Sequence, residues 1–297
     1  MKIEMKNHLK PCAVVSIAIM VIALVMTMMG MGMNLGIDFT VGTLMTYNMG
    51  EAFEVEAVSA ALAECGIADA QIAKTGEENT QVQIRISDVE NTDELRDALV
   101  EKLSATYPNI EYVDITRVGA VVGGELINNA IKSLTLAAVL MLCYIAVRFD
   151  LYSGIAAVIG LCHDIAIMLS AVVILRSFIR VETTFIAALL TIVGYSINNT
   201  IIIFDRIREN SHKAGVRQLP REQIVSLSVT ESLPRTLNTT ITTLLTIVML
   251  YILGVDSIKQ FALPLIIGIV AGTYSANLIN GYVWALLMDL RASRKKA

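Results

Sequence analysis

The stretch GYSINNTIIIFDRIREN, from Gly194 to Asn210, closes a long apolar run. Its first half is rich in polar residues, at a depth where a helix that only spans lipid would be apolar. Its second half ends in alternating charges. Polar groups at membrane depth are costly and usually face a bundle interior or a wet path. The stretch therefore indicates a polytopic helical membrane protein that buries polar groups between its helices.

The composition of the whole chain favours the same class. Of its 297 residues, 55% are hydrophobic and 17% are charged, whereas a soluble domain is normally about 25% charged. The net charge of −4 does not suggest a nucleic-acid partner. The three His and four Cys are scattered, so the sequence predicts no metal site, and it carries no cofactor motif. We therefore expect membrane lipid to surround much of the protein surface.

Six apolar runs are long enough to cross a bilayer core, which needs roughly 20 residues per helix. The predicted spans are residues 11–33, 126–147, 151–175, 183–204, 236–255 and 261–288. The first run follows a basic start, as a signal peptide would. Its apolar stretch is too long for one and no small-residue cleavage site follows it, so we expect an uncleaved anchor.

The distribution of Lys and Arg predicts the orientation of these spans. One side would hold 14 of them, in residues 1–10, at Arg148, in the loop 205–235 and in residues 289–297. The two short loops on the other side hold three. By the positive-inside rule the basic side is cytoplasmic. We therefore expect the protein in the cytoplasmic membrane, with both termini in the cytoplasm.

The segment 35–125 is then an extracytoplasmic domain. Between Leu35 and Asn128 the chain has 17 Asp and Glu against five Lys and Arg, so this domain is acidic. Hydrophobic spacing of period two alternates with helical spacing. The predicted order is strand 43–49, helix 54–65, strands 70–75 and 80–86, helix 91–107 and strand 111–119. This βαββαβ order predicts a small α+β, ferredoxin-like fold.

Small and polar residues recur at helical spacing in the fourth span. They are Thr184, Ala187, Ala188, Thr191, Gly194, Tyr195, Asn198 and Asn199. Such stripes are more often packing faces than transport sites, and Asn280 of the sixth span is expected to form a helix–helix hydrogen bond. Packing alone does not account for the concentration of polar groups at Tyr195, Ser196, Asn198 and Asn199, which we expect to face a bundle interior.

Asp164 is an acid well inside the third span, where an ionised carboxylate is expensive. Either it is protonated, or it meets a cation or water, which would suit proton exchange; the structural alternative is a fixed pair with an Arg of another helix. Arg235, after Pro234 at the predicted start of the fifth span, is either a positive-inside anchor or points into the bundle. Asp205 and Arg206 are expected at the cytoplasmic rim, near a helix end.

Several motifs, in order along nearly the whole chain, resemble the SecF members of the SecD/SecF family of protein-export membrane proteins, within the resistance-nodulation-division superfamily. Besides the opening stretch they are LGIDFTVGT (35–43), VGGELINNAIKSL (122–134), RFDLYSGIAAVIGLCHD (148–164) and ESLPRTLNTTITTLLT (231–246). The resemblance implies an accessory subunit that works with SecD and the Sec translocon channel. It would use the proton gradient to help translocate or release exported polypeptides.

The resemblance also implies roles for two positions. In the family an Asp of the fourth span and an Arg of the fifth are implicated in proton passage. The Arg matches Arg235, but the Asp position holds Asn199, which carries no titratable proton. Three consequences stay open: the ionisable step lies on SecD, Asp164 takes a larger share, or another ion such as sodium is used.

Two other classes of function are less compatible with the sequence. A half-size exporter of small molecules or lipids from the same superfamily is the alternative, although only six spans and one outer domain of under 100 residues are present. An enzyme is not predicted, because the sequence has no nucleophile–base set, H-E-x-x-H motif or phosphate loop. A lone intramembrane Asp is also too little for an aspartyl protease, which needs two.

Overall fold

The computed structural model describes residues 5–39, 42–67, 70–76, 80–86, 92–118 and 120–294. The chain divides into two compact units. One unit combines the residues up to Asn34 with those from Ala130 onward, and the other runs from Leu35 to Asn129. The first unit is helical and the second contains a four-stranded sheet.

Within the described residues, six helical segments are long and apolar enough to cross a membrane, as the sequence predicted. They are formed by α1 (Met5–Met28), α4 (Ala120–Arg148), α5 (Leu151–Ile174), α6 (Thr183–His212), α7 (Arg221–Leu253) and the continuous run of α8 (Asp256–Ser275), a π-helical turn (Ala276–Asn280) and α9 (Gly281–Arg294). The N-cap of helix α5 is Asp150, whose carboxylate accepts hydrogen bonds from the backbone N–H groups of Tyr152 and Ser153.

Helices α6 and α7 extend well into the predicted cytoplasmic loop 205–235. Between them only residues 213–220 are outside a helix, and Pro234 lies inside α7 instead of at its start. The reason is a buried stripe that runs through the charged segment of α7. Its members are Ile224, Val225, Ser228, Val229, Ser232, Thr236 and Thr240. The mean hydropathy falls at the charged residues of α7, but the helical spacing of the buried residues continues through this segment.

The ends of α6 and α7 are tied together by polar contacts. Buried Asn210 of α6 donates to Ser228 Oγ at 3.0 Å and to Glu231 Oε2 at 2.8 Å, and Arg206 Nε lies 2.7 Å from the same Glu231 carboxylate. These contacts hold a helical pair in a region where charge alone had suggested a solvated loop.

The second unit has the predicted βαββαβ order. Its elements are β1 (Gly42–Asn48), α2 (Val55–Glu64), β2 (Gln71–Thr75), β3 (Gln81–Ile86), α3 (Thr92–Ser104) and β4 (Glu111–Val118). The strands pair antiparallel in the order β2-β3-β1-β4. In β3, Val82, Ile84 and Ile86 are buried while the residues between them are partly exposed, which is the alternation expected of a sheet with one covered face. Leu62 of α2 and Leu99 of α3 belong to the same core.

Candidate functional site

The carboxylate of Asp164 lies inside the helical unit and is fully buried. Ser196 of α6 donates its hydroxyl to Oδ2 at 2.5 Å, and Nδ1 of the neighbouring His163 lies 3.0 Å from Oδ1. Helix α8 reaches this point because residue 272 is Gly. A Cβ there would lie 3.4 Å from Asp164 Oδ2 and 3.1 Å from Ser196 Cβ. Three helices thus meet around one acid.

His163 links that acid to α1 and to a second point on α8. Its Nε2 lies 2.9 Å from Ser16 Oγ of α1 and 3.2 Å from the Tyr274 hydroxyl of α8, and these two hydroxyls are 2.8 Å apart. The His163 and Tyr274 rings meet edge to face with centroids 5.5 Å apart. Among the described residues, Asp164 forms hydrogen bonds with Ser196 and His163. The ion pair with an Arg of another helix, which the sequence left open, is not formed by any residue that the structure describes.

A second polar cluster connects α6, α7 and α8. Tyr195 donates its hydroxyl to Thr240 Oγ1 at 3.0 Å, and Thr240 Oγ1 is 3.0 Å from Thr273 Oγ1. One turn further, Thr236 donates to Asn277 Oδ1 at 3.1 Å. Thr236 and Thr240 also bond backbone carbonyls of their own helix. The threonine stripe of the fifth span is therefore a polar packing face.

Asn199 is fully buried, and neither its Oδ1 nor its Nδ2 has a hydrogen-bond partner among the described residues. An unsatisfied buried polar group costs about 1–3 kcal/mol. The next residue, Thr200, accepts a hydrogen bond from Asn280 Nδ2 at 2.8 Å, which is the helix–helix bond that the sequence predicted for Asn280. Asn280 belongs to the π-helical turn, a feature that occurs frequently at functional sites and that the sequence analysis missed.

The polar residues of α6 divide between two faces. Ser196 and Asn199 are buried in the helical unit, whereas Asn198 is exposed, together with Thr191 and Gly194 on the same side of the helix. On α7, Arg235 is likewise exposed, along with Asn238 and Thr242. The structure therefore does not bring Arg235 to the buried Asn199. We call these six exposed residues the polar outer face of α6 and α7.

The charged end of α6 forms surface ion pairs. Asp205 lies 3.6 Å from Arg148 and 3.3 Å from Arg208, and Arg206 lies 2.6 Å from Glu209. Exposed pairs of this kind contribute little to stability, with typical values of about 0–1 kcal/mol. Asp205 and Arg206 thus belong to a set of partly exposed ion pairs that is separate from the buried cluster.

His163, Ser16 and Tyr274 are functional candidates that the sequence analysis missed. The structure gives His163 three side-chain partners. Ser16, a lone hydroxyl in an apolar run, and the adjacency of His163 to Asp164 were the available signals. No group of three or more His, Cys, Asp or Glu within the described ranges is arranged to hold a metal ion.

Comparison with known proteins identifies the family of the chain. A family described as "Protein export membrane protein SecD/SecF, C-terminal" matches residues 98–290. The chain belongs to the SecD/SecF family. The protein translocase subunit SecF of Sebaldella termitidis is 36% identical over 244 residues, covering 82% of this chain and 78% of the relative. The SecF subunit of Thermobaculum terrenum is 34% identical over 257 residues, covering 82% of this chain and 80% of the relative.

Solved structures of SecDF proteins match as well. The crystal structure of SecDF from Thermus thermophilus, described as a translocon-associated membrane protein, has a TM-score of 0.80 and is 31% identical in sequence. The match covers 95% of this chain and 38% of that one. A SecDF structure in a super-membrane-facing form gives a TM-score of 0.68, also at 31% identity. This chain thus spans well under half of those SecDF chains, and it is a multi-pass membrane protein of the SecD/SecF family.

Proposed function

We propose that this chain is the SecF-type accessory subunit of a Sec protein-export system. It pairs with a SecD partner in the cytoplasmic membrane, with both termini in the cytoplasm, and assists the Sec channel in moving or releasing exported polypeptides. The gradient of an ion, the proton, across the membrane supplies the driving force. The proposal assigns no covalent catalysis to the chain.

The observation that carries the pairing is the polar outer face of α6 and α7. Asn198, Asn238 and Arg235 are exposed on helices that are long and apolar enough to span a membrane. Amides and cations in contact with lipid are costly, and such residues normally face other helices or water. The helices of a partner subunit would supply hydrogen bonds to this face. The match covers 38% of a SecDF chain, so the rest of that chain includes enough residues for such a partner.

The coupling ion is proposed to bind at Asp164. Asn199 occupies the position at which the family resemblance implies an acid, and an amide carries no titratable proton. Asp164 is fully buried and held by two side chains, so a change in its charge alters the forces on α5 and α6 together. Within this chain we therefore assign proton exchange to Asp164.

The experiment that tests the pairing is purification of the tagged chain from native membranes in mild detergent, with mass spectrometry of the proteins that follow it. Recovery of SecD and Sec channel subunits is the expected result. Recovery of copies of this chain alone, with no Sec component, would refute the pairing and would favour the half-size exporter of small molecules or lipids.

A second experiment tests the coupling. Export of a signal-peptide-bearing reporter is followed in cells that depend on this chain and its SecD partner. We expect Asp164→Asn to lower the export rate at least fivefold at equal membrane content. The matched control is Asp97→Asn, the same chemical change at an exposed site of the sheet-containing unit, where we expect a rate within twofold of the wild type. A wild-type rate for Asp164→Asn would refute the assignment.

A further inference from the structure

The buried acid has a hydrogen-bonded connection toward partly exposed groups. Asp164 itself is 0% exposed, whereas the His163 side chain is 15% exposed. Beyond His163 stand the hydroxyls of Ser16 and Tyr274. The chain of contacts Ser196–Asp164–His163 and then Ser16 or Tyr274 has steps of 2.5, 3.0, 2.9 and 3.2 Å, each within hydrogen-bonding range.

We propose that His163 is the residue through which protons reach and leave Asp164, with the hydroxyls of buried Ser16 and partly exposed Tyr274 as the next members of the path. This inference rests on the proposed role of Asp164 in ion coupling and adds a route to it. An imidazole suits the task because one ring nitrogen can accept a proton while the other releases one. The two ring nitrogens of His163 face opposite ends of the path: Nδ1 faces the carboxylate and Nε2 faces the hydroxyls.

The transfer balances as follows. The ring starts neutral with its proton on Nδ1, donated to Asp164 Oδ1. A proton delivered to Nε2 from a hydroxyl or a water is accompanied by release of the Nδ1 proton to Oδ1. The carboxylate becomes a carboxylic acid and the ring stays neutral with its tautomer exchanged. The donor hydroxyl regains a proton from its own neighbour, and the reverse sequence returns the proton from the acid.

The groups around His163 come from three helices. Helix α5 contributes Asp164, α1 contributes Ser16, and α8 contributes Tyr274, with the Cys12 thiol of α1 as the further titratable group beside that tyrosine. The path therefore also ties α1, which has few other buried polar groups among its described residues, to the helices that hold the acid. A proton on Asp164 thus bears on the packing of α1 as well.

Two substitutions separate a relay from a purely structural role. In His163→Asn the side-chain amide can occupy the place of Nδ1 and keep the hydrogen bond to Asp164, while in His163→Gln it can reach the place of Nε2 and keep the contact with the hydroxyls. Neither amide relays a proton. A structural role predicts that at least one of them behaves as wild type, whereas a relay predicts that both fail.

The measurement is the rate at which Asp164 takes up a proton after a rapid drop in pH. It is followed by the infrared carboxylic-acid band of the purified chain with its SecD partner in lipid nanodiscs. Subtraction of the Asp164→Asn spectrum assigns the band. We expect a slowing of fivefold or more in both His163 variants, and a smaller slowing in either one would overturn the proposal.

If the His163 variants do not fold, the double variant Ser16→Ala, Tyr274→Phe decides by the same fivefold threshold, because it removes both hydroxyls at Nε2 and leaves the ring in place. The readout is independent of export. Normal export by Asp164→Asn would remove the coupling role of the acid, whereas fast protonation in the His163 variants would remove only the route proposed here.

Discussion

The packing of Gly160 against Asn280 allows a prediction with a definite sign. A Cβ at position 160 would lie 1.9 Å from Asn280 Oδ1 and 2.5 Å from its Cγ. Asn280 is only 1% exposed and donates to Thr200, so its side chain has little room to turn aside. Gly194 is the matched control, since it also lies in a long apolar helix and a Cβ there would meet nothing within 4 Å.

The expected magnitudes follow from three contributions. Overpacking a tight site costs about 1–3 kcal/mol. Loss of an interhelical hydrogen bond in a membrane protein costs about 0.6 kcal/mol on average. Replacing a helical Gly by Ala returns about 0.8–1.0 kcal/mol. Gly160→Ala should therefore destabilise by about 2 kcal/mol, and Gly194→Ala should stabilise by up to about 1 kcal/mol.

The assay is thermal unfolding of the purified chain in one detergent, followed by circular dichroism. For a unit of about 200 residues, the size of the helical unit, 1 kcal/mol corresponds to about 2–4 °C in Tm. We expect Gly160→Ala to lower Tm by about 4–8 °C and Gly194→Ala to raise it by about 2–4 °C. In addition, Asn280→Ala should relieve the defect of Gly160→Ala, so that the double variant is more stable than the sum of the single effects. Equal Tm shifts for the two glycine variants would refute the packing argument.

Three further predictions concern other surfaces. Asn198→Leu should lower the amount of SecD recovered with the chain at least fivefold without lowering Tm; unchanged recovery would show that the polar outer face of α6 and α7 is not the docking surface. Leu99→Ala, at a fully buried site of α3, should destabilise the sheet-containing unit by about 2–5 kcal/mol, seen as faster proteolysis there, and wild-type resistance would contradict this. Because Lys102 lowers the pKa of Glu64 in an exposed pair, that pair adds stability above the usual pKa of glutamate and loses it as the pH falls through the lowered value. Lys102→Gln should accordingly lower Tm slightly at neutral pH and not in acid. An equal decrease in Tm at both pH values would refute the assignment of the lowered pKa to Lys102.

The sequence was sufficient for the number of candidate membrane helices and for the order of elements in the sheet-containing unit. Long apolar runs and period-two alternation are both properties of neighbouring residues, so both can be recognised from the sequence alone. The extension of α7 through residues 221–235 was missed because hydropathy falls at its charged residues, while the buried stripe that decides its structure lies between them.

The contacts of the buried site were beyond sequence reasoning. Ser16 and Tyr274 lie 147 and 111 positions from His163, and no local pattern connects them. The polar stripe of α6 was read as one face, but adjacent residues in an α-helix point about 100° apart. Asn198 and Asn199 therefore lie on different faces, and the packing of the neighbouring helices determines which of them is buried.

The π-helical turn has a geometric consequence for the sixth span. One turn of π-helix holds one residue more than a turn of α-helix, so α9 continues out of phase with α8 by about 100°. Without that offset, the ridge of Gly268, Gly272 and Ala276 and the buried Trp284 of α9 would point in different directions. The offset turns both toward the neighbouring helices. Deletion of one residue from this turn would remove the extra residue, restore a regular α-helical turn and leave Trp284, the chain's single tryptophan, facing the same way.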